Sequence, residues 1–150
     1  LGKVSSFREN ELTLNATKMK VTATVENSLH KNIVSVETNE NSQQISIPSK
    51  FTGYGSSVNG GELLCVALAT CFCNDIYREA NKRNIKVTKV VVEASAEFLA
   101  EGAAGSNIVY HAKIEGDASN EELLALVKHT DTVAEVHNTL RSGVKISLLL

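Results

Sequence analysis

Cys65, Cys71 and Cys73 lie close together near the middle of this 150-residue chain, and their spacing limits what sulfur can do here. On a helix turning about 100° per residue, Cys71 lies about 240° from Cys65, and Cys73 about 80° from Cys65 and about 200° from Cys71. Vectors so spread do not converge on one zinc ion, so no metal is expected. A disulfide needs Cβ atoms about 3.8 Å apart and pointing together, whereas Cys73 points away from Cys71 and Cys65 stands about 9 Å from it along the axis. Cys65 and Cys73 therefore read as small hydrophobes of a core, and the odd cysteine count as reduced thiols of a cytoplasmic protein. The chemistry left to such a thiol is nucleophilic attack as the thiolate. That form needs a cation or a helix N-terminus to lower the pKa from about 8.5.

The elements that must position these thiols are legible from periodicity and turn residues. Asn59-Gly60-Gly61-Glu62 has the pattern of a capping box and opens a helix that Asn84 closes. From Leu63 to Phe72 this helix is apolar on nearly every face, and it turns amphipathic through Asp75, Arg78, Glu79 and Lys82. A helix dry all round must be covered on all sides, which one small sheet and one further helix would struggle to do; a second subunit is the expected cover. Before it, alternation predicts strands at Thr17–Glu26, Ile33–Thr38 and Gln44–Ile47, with a turn at Asn27–Lys31, a loop at Asn39–Ser42 and a long loop over Ser49–Gly60. After it come a hairpin, Val87–Phe98 with Ile108–Glu115, and a second capping box at Ser119-Asn120-Glu121-Glu122. That box opens one long or two short helices ending at Arg141-Ser142-Gly143. A final strand is expected at Val144–Leu150. The class is α+β with antiparallel pairing, organised as an N-terminal arm over residues 1–16 and a single domain over 17–150.

Composition narrows the function. Fifteen Lys and Arg against seventeen Asp and Glu leave a net charge of −2, with no dense basic cluster, no Trp, three Tyr and four Phe. Neither phosphate-backbone binding nor a base-stacking platform is expected. The most apolar stretch, Leu63–Cys73, is about half of a membrane span, and no leader is recognisable, so a soluble, unexported chain is expected.

Three segments carry a likeness to a known family. The helix reads Glu62-Leu63-Leu64-x-x-Ala67-Leu68-Ala69-x-Cys71, an Ile85-x-Val87 step leads into the hairpin, and the last part reads Val136-His137-Asn138-Thr139-Leu140-x-x-Gly143-Val144. Together, over roughly Thr17 to Leu149, they resemble the OsmC/Ohr family. The resemblance implies an intertwined homodimer, with antiparallel sheets around a long buried central helix. It also implies reduction of hydroperoxides by two cysteines per subunit at the dimer interface, assisted by an Arg and a Glu. Cys71 matches the peroxide-reacting cysteine. It lies too deep in its helix to use that helix's own N-terminus, so it needs a cation from elsewhere. The family's resolving cysteine falls where this chain has Ala134, and its catalytic Glu falls at Gly61. Glu62 is the nearest acid, about 180° round the helix from Cys71 and already explained by the capping box. For the Arg, the region of the first hairpin turn offers His30 and Lys31, and the arm offers Arg8; Lys31 supplies charge but not a bidentate fork. His137 stands three residues after Ala134, so on a continuing helix it shares Ala134's stripe and is a candidate base or cation for Cys71. His111 and His129 read as solvent-facing.

Three functions follow from these residues. The first is a thiol peroxidase in which Cys71 works alone and an external thiol resolves its sulfenic acid. The second is a catalytically degenerate dimer holding a small apolar ligand at its interface, and the third is a structural dimer without small-molecule chemistry. None calls for a cofactor.

Overall fold

The structure, a computed structural model, describes residues 18–150; the expected arm, Arg8 and Thr17 lie outside the described residues. The described chain forms two compact units, one ending at Ser57 and one running from Val58 to Leu150. The architecture is α+β with antiparallel sheets, as expected.

In the first unit, β1 (Val21–Ser28), β2 (Lys31–Thr38) and β3 (Asn41–Ile45) form an antiparallel meander in the order β1-β2-β3. The connection after β2 is tighter than the sequence implied. Asn39 and Glu40 both take positive φ, 45° and 69°, making a two-residue turn whose twist matches the flanking strands, so β3 begins at Asn41. The long loop after β3 is tied back to the meander. Asn32 Nδ2 donates to the Ile47 carbonyl at 2.9 Å, and the Gly55 amide donates to Asn27 Oδ1 at 2.8 Å.

The second unit is built on α1 (Gly60–Lys82). Both bonds of the Asn59 and Glu62 capping box are present, at 2.9 and 2.8 Å, satisfying donors that a helix start otherwise leaves free. The hairpin of β4 (Val87–Glu97) and β5 (Ser106–Gly116) packs one face on this helix. Val90, Val92, Tyr110, Ala112 and Ile114 close over Phe72, Ile76, Ala80 and Leu126, the period-2 faces of the strands meeting the period-3.6 face of the helix. Leu126 comes from α2 (Asn120–Val133), which Ser119 and Glu122 cap in the same reciprocal way. No helix among the described residues is long and apolar enough to cross a membrane.

Two expectations are corrected or decided here. The helical C-terminal region is two helices: α2 stops at Val133, Ala134 sits at φ −74°, ψ 110°, and α3 (Glu135–Ser142) follows. The carbonyls freed at the end of α2 are taken up by side chains, with Asn138 Nδ2 on Thr132 at 3.0 Å and Arg141 Nη1 on Asp131 at 2.9 Å, which makes the break stable. The strand expected at Val144–Leu150 is not formed. Its alternation is strand-like, but a strand exists only where an edge pairs with it, and no strand of the described chain does so. Ile146 is left 95% exposed.

Candidate functional site

The break at Ala134 decides the surroundings of Cys71. It restarts the backbone so that the first turn of α3 meets α1, and the Val136 amide donates to the Cys71 sulfur. The thiol itself donates to Asp75 Oδ2, one helical turn further along α1, at 3.3 Å. Glu135, the first residue of α3, brings a third donor atom: sulfur and one oxygen from each of the two carboxylates lie within 4.8 Å of one another. One sulfur and two carboxylates are a conceivable donor set for a divalent ion. Here the positive charge is supplied by Arg78, whose Nη1 contacts Asp75 Oδ1 at 2.8 Å and Glu135 Oε1 at 2.9 Å.

Arg78 also joins this group to a second buried acid. Its Nε donates to Glu79 Oε1 at 2.9 Å, the Lys82 ammonium reaches the same oxygen at 2.8 Å, and His129 Nε2 lies 3.2 Å from Oε2. Glu79 is buried yet stays charged, its carboxyl held down to about 2 mainly by the bonds from Lys82 and Arg78. Asp75 moves the other way. Burial raises its pKa, with the Glu135 charge adding to the rise, while the Cys71 bond and Arg78 oppose it.

The thiol of Cys71 is pushed above its ordinary range, first by burial and then by the adjoining charges of Asp75 and Glu135, against the lowering effect of the Val136 amide. Cys71 therefore rests as the thiol at neutral pH, donating to Asp75. A raised pKa means less thiolate than a free cysteine has at any pH below that value. Alkylation by iodoacetamide is expected to be slower than for a model thiol at pH 7.5 and to rise about tenfold per pH unit up to pH 9. In Asp75→Asn, which removes an acceptor and a negative charge, alkylation at pH 7.5 should be several-fold faster. A plateau below pH 8 in the wild type would contradict this geometry.

The residues expected from sequence are distributed as follows. Cys71 is half-buried at the centre of the group just described. Glu62 is exposed at the start of α1 and is occupied by the capping box. At Gly61 an added Cβ would come within 2.9 Å of the Phe98 ring, so a side chain at this position would have to displace Phe98. Lys31 opens β2 in the first unit, with His30 at positive φ beside it. His137 is buried against Phe72 and Tyr110, with ring centroids 5.7 and 4.4 Å away. His111 is exposed as expected, whereas His129 is only partly so and bonds Glu79.

Asp75, Arg78, Glu79 and Glu135 are the residues that sequence reasoning passed over. Asp75, Arg78 and Glu79 read as a solvated helix face, yet Asp75 and Glu79 are only 4% and 3% exposed. The signal was present in the spacing: Asp75 and Arg78 stand four and seven residues after Cys71, on its own face of the helix.

Fold and site together place the chain among small α+β proteins built on a cysteine-bearing helix packed against a β-hairpin. Solved structures with this fold include the OsmC-like protein from Mycoplasma pneumoniae, with 18% identity over 89% of this chain and 96% of that one and a TM-score of 0.59. An organic hydroperoxide resistance protein from Elizabethkingia anophelis aligns with 16% identity over 84% and 91% and a TM-score of 0.57. An OsmC-like protein of unknown function from Vibrio cholerae aligns with 11% identity over 82% and 93% and a TM-score of 0.56. At such identities the likeness is one of fold. The family model for OsmC-like proteins matches residues 53–149, and the chain belongs to that family. No curated protein matches it in sequence.

Proposed function

We propose that this chain reduces organic hydroperoxides with one cysteine, Cys71, and that an external thiol restores it. The observation that carries this reading is the hydrogen bond from the Cys71 thiol to the buried Asp75, whose other carboxylate oxygen is held by Arg78. A thiol in that position loses its proton to Asp75 as it attacks. Sulfur bonds to the terminal oxygen of the hydroperoxide, the O–O bond breaks, and the departing alkoxide takes the proton from Asp75 to leave as the alcohol. The products are a sulfenic acid on Cys71 and one molecule of alcohol. Two external thiols then return Cys71 to the thiol, releasing water and a disulfide. The Val136 amide and Arg78 stabilise the negative charge while it is on sulfur and carboxylate.

A second copy of the chain belongs to this reading. Leu63 and Val66 on α1 are 38% and 56% exposed, with Ala67 and Thr70 exposed on the same face. This is apolar surface that a homodimer with paired α1 helices would cover. Three reduced thiols suit the cytoplasm. The second reading, a degenerate dimer that binds a small apolar ligand at its interface, is favoured by one observation, the raised pKa of Cys71.

The two readings separate in one assay. Mixed with excess cumene hydroperoxide, the wild type should lose one titratable thiol per chain, and Cys71→Ser should lose none. Asp75→Asn should consume peroxide at least tenfold more slowly even as its alkylation speeds up, because alkylation needs only the thiolate whereas peroxide cleavage also needs a proton for the alkoxide. Equal consumption by the wild type and Cys71→Ser would remove the enzyme reading.

A further inference from the structure

Glu135 has the most exposed side chain of the acids on Arg78, at 63% against 6% for Asp75 and 4% for Glu79, and an acid so placed ordinarily turns to water. Here one of its oxygens lies within 4.8 Å of both the Cys71 sulfur and an oxygen of Asp75. Its Oε1 is held at 2.9 Å by the same Arg78 nitrogen that holds Asp75 Oδ1 at 2.8 Å. The break at Ala134 sets it there: Glu135 is the first residue of α3, in the turn that brings the Val136 amide to the sulfur.

Two carboxylates on one guanidinium nitrogen share a single positive charge, and the Nε of that guanidinium holds Glu79 as well. Like charges so close disfavour the ionised form, and the effect falls on the buried Asp75 more than on Glu135, which water solvates. The titratable and charged groups facing Asp75 are Cys71 and Arg78 of α1 and Glu135 of α3. His129 of α2 reaches Glu79 instead, and the hairpin meets α1 with Val90, Val92, Ala112 and Ile114. Burial leads the rise in the Asp75 pKa, and Glu135 adds to it through its charge and through a side-chain hydrogen bond. At Cys71 burial again leads, and Glu135 acts by charge alone, after Asp75. The proton on the Cys71–Asp75 bond is therefore drawn toward Asp75.

We propose that Glu135 is a positioning residue for peroxide cleavage, its carboxylate standing against Asp75 so that Asp75 takes the Cys71 proton and keeps it until the alkoxide leaves. The proposal rests on the hydroperoxide reading. The proton passes from sulfur to Asp75 Oδ2 as sulfur bonds the terminal peroxide oxygen, and from Asp75 to the alkoxide as the O–O bond breaks. Glu135 itself neither gives nor takes it.

Glu135→Gln in the full-length protein tests this, because it removes the charge while keeping the length and an oxygen for Arg78. Consumption of cumene hydroperoxide is expected to fall about threefold or more near neutral pH, with the acid limb of the rate–pH profile moved to lower pH. The side-chain carboxyl signal of Asp75, followed by NMR without peroxide, should titrate at lower pH than in the wild type. Alkylation of Cys71 at pH 7.5 should be faster, not slower. Glu135→Asp restores the charge and should recover part of the rate and of the acid limb. In an active wild type, an unmoved acid limb and an unmoved Asp75 titration in Glu135→Gln would overturn the proposal and leave the hydroperoxide reading standing. A slower rate with the Asp75 titration unmoved would do the same, since Glu135 would then serve only to dock α3. Equal consumption by the wild type and Cys71→Ser would remove the hydroperoxide reading and this proposal with it.

Discussion

Arg78→Met is expected to destabilise the protein by about 2–3 kcal/mol at pH 7 and, on the hydroperoxide reading proposed above, to slow peroxide consumption at least tenfold. The guanidinium contacts Asp75, Glu79 and Glu135 at 2.8 to 2.9 Å. Methionine keeps much of the apolar stem and removes only the charge and its donors. Breaking a buried ion pair by removing one partner costs about 3–5 kcal/mol. The side chain of Arg78 is 39% exposed, so water replaces part of its bonding and the lower figure applies. Glu79 keeps Lys82 and His129, whereas Asp75 keeps no cation among its described ion pairs. The sign of the pH dependence follows from that. Arg78 lowers the pKa of Asp75, so its stabilisation is present where Asp75 is ionised and is lost as pH falls and the acid protonates. Urea denaturation at pH 7 and pH 4.5 should therefore show the gap between wild type and variant narrowing at the lower pH. A gap that widens on acidification would mean that Arg78 acts through packing alone. Arg78→Lys keeps the charge but not the fork, and should fall between the two.

Much of the scaffold was open to sequence reasoning because each element carries its own signal. Asn59 with Glu62 and Ser119 with Glu122 announce two helix starts, and alternation announces β1, β2, β4 and β5. What sequence could not supply depends on contacts between segments distant along the chain. The burial of Asp75 and Glu79 depends on α3 and on His129 of α2 arriving over a polar-looking helix face, and helical periodicity sees only one side of that contact. The break at Ala134 is of the same kind. Leu126, Thr130 and Val133 continue a helical stripe, and what ends the helix is the set of side chains, Asn138 and Arg141 among them, that cap the freed carbonyls of Thr132 and Asp131. The unpaired Val144–Leu150 segment shows the opposite limit: alternation states a preference for β, and pairing decides whether it is met.

Ala134→Cys is expected to form a disulfide with Cys71 under mild oxidation, leaving two of four thiols titratable and lowering the mass by the two protons and two electrons removed. The residues that follow position 134 already hold Cys71, Glu135 through its carboxylate and Val136 through its amide. Ala134 itself is fully buried in the cluster that contains Phe72. Placing a sulfur there overpacks the reduced protein, at a cost of about 1–3 kcal/mol. The disulfide reverses the balance, because closing a loop of about sixty residues removes about 4 kcal/mol of unfolded-state entropy in the chain-entropy model. The variant should therefore be less stable than wild type when reduced and at least as stable when oxidised. On the hydroperoxide reading proposed above, a sulfenic acid on Cys71 would then be attacked by a thiol within the same chain, and turnover would depend on reduction of the new disulfide rather than on the external thiol's encounter with Cys71. Four thiols still titratable after exposure to oxidised glutathione would show that the Ala134 backbone does not direct its Cβ at Cys71.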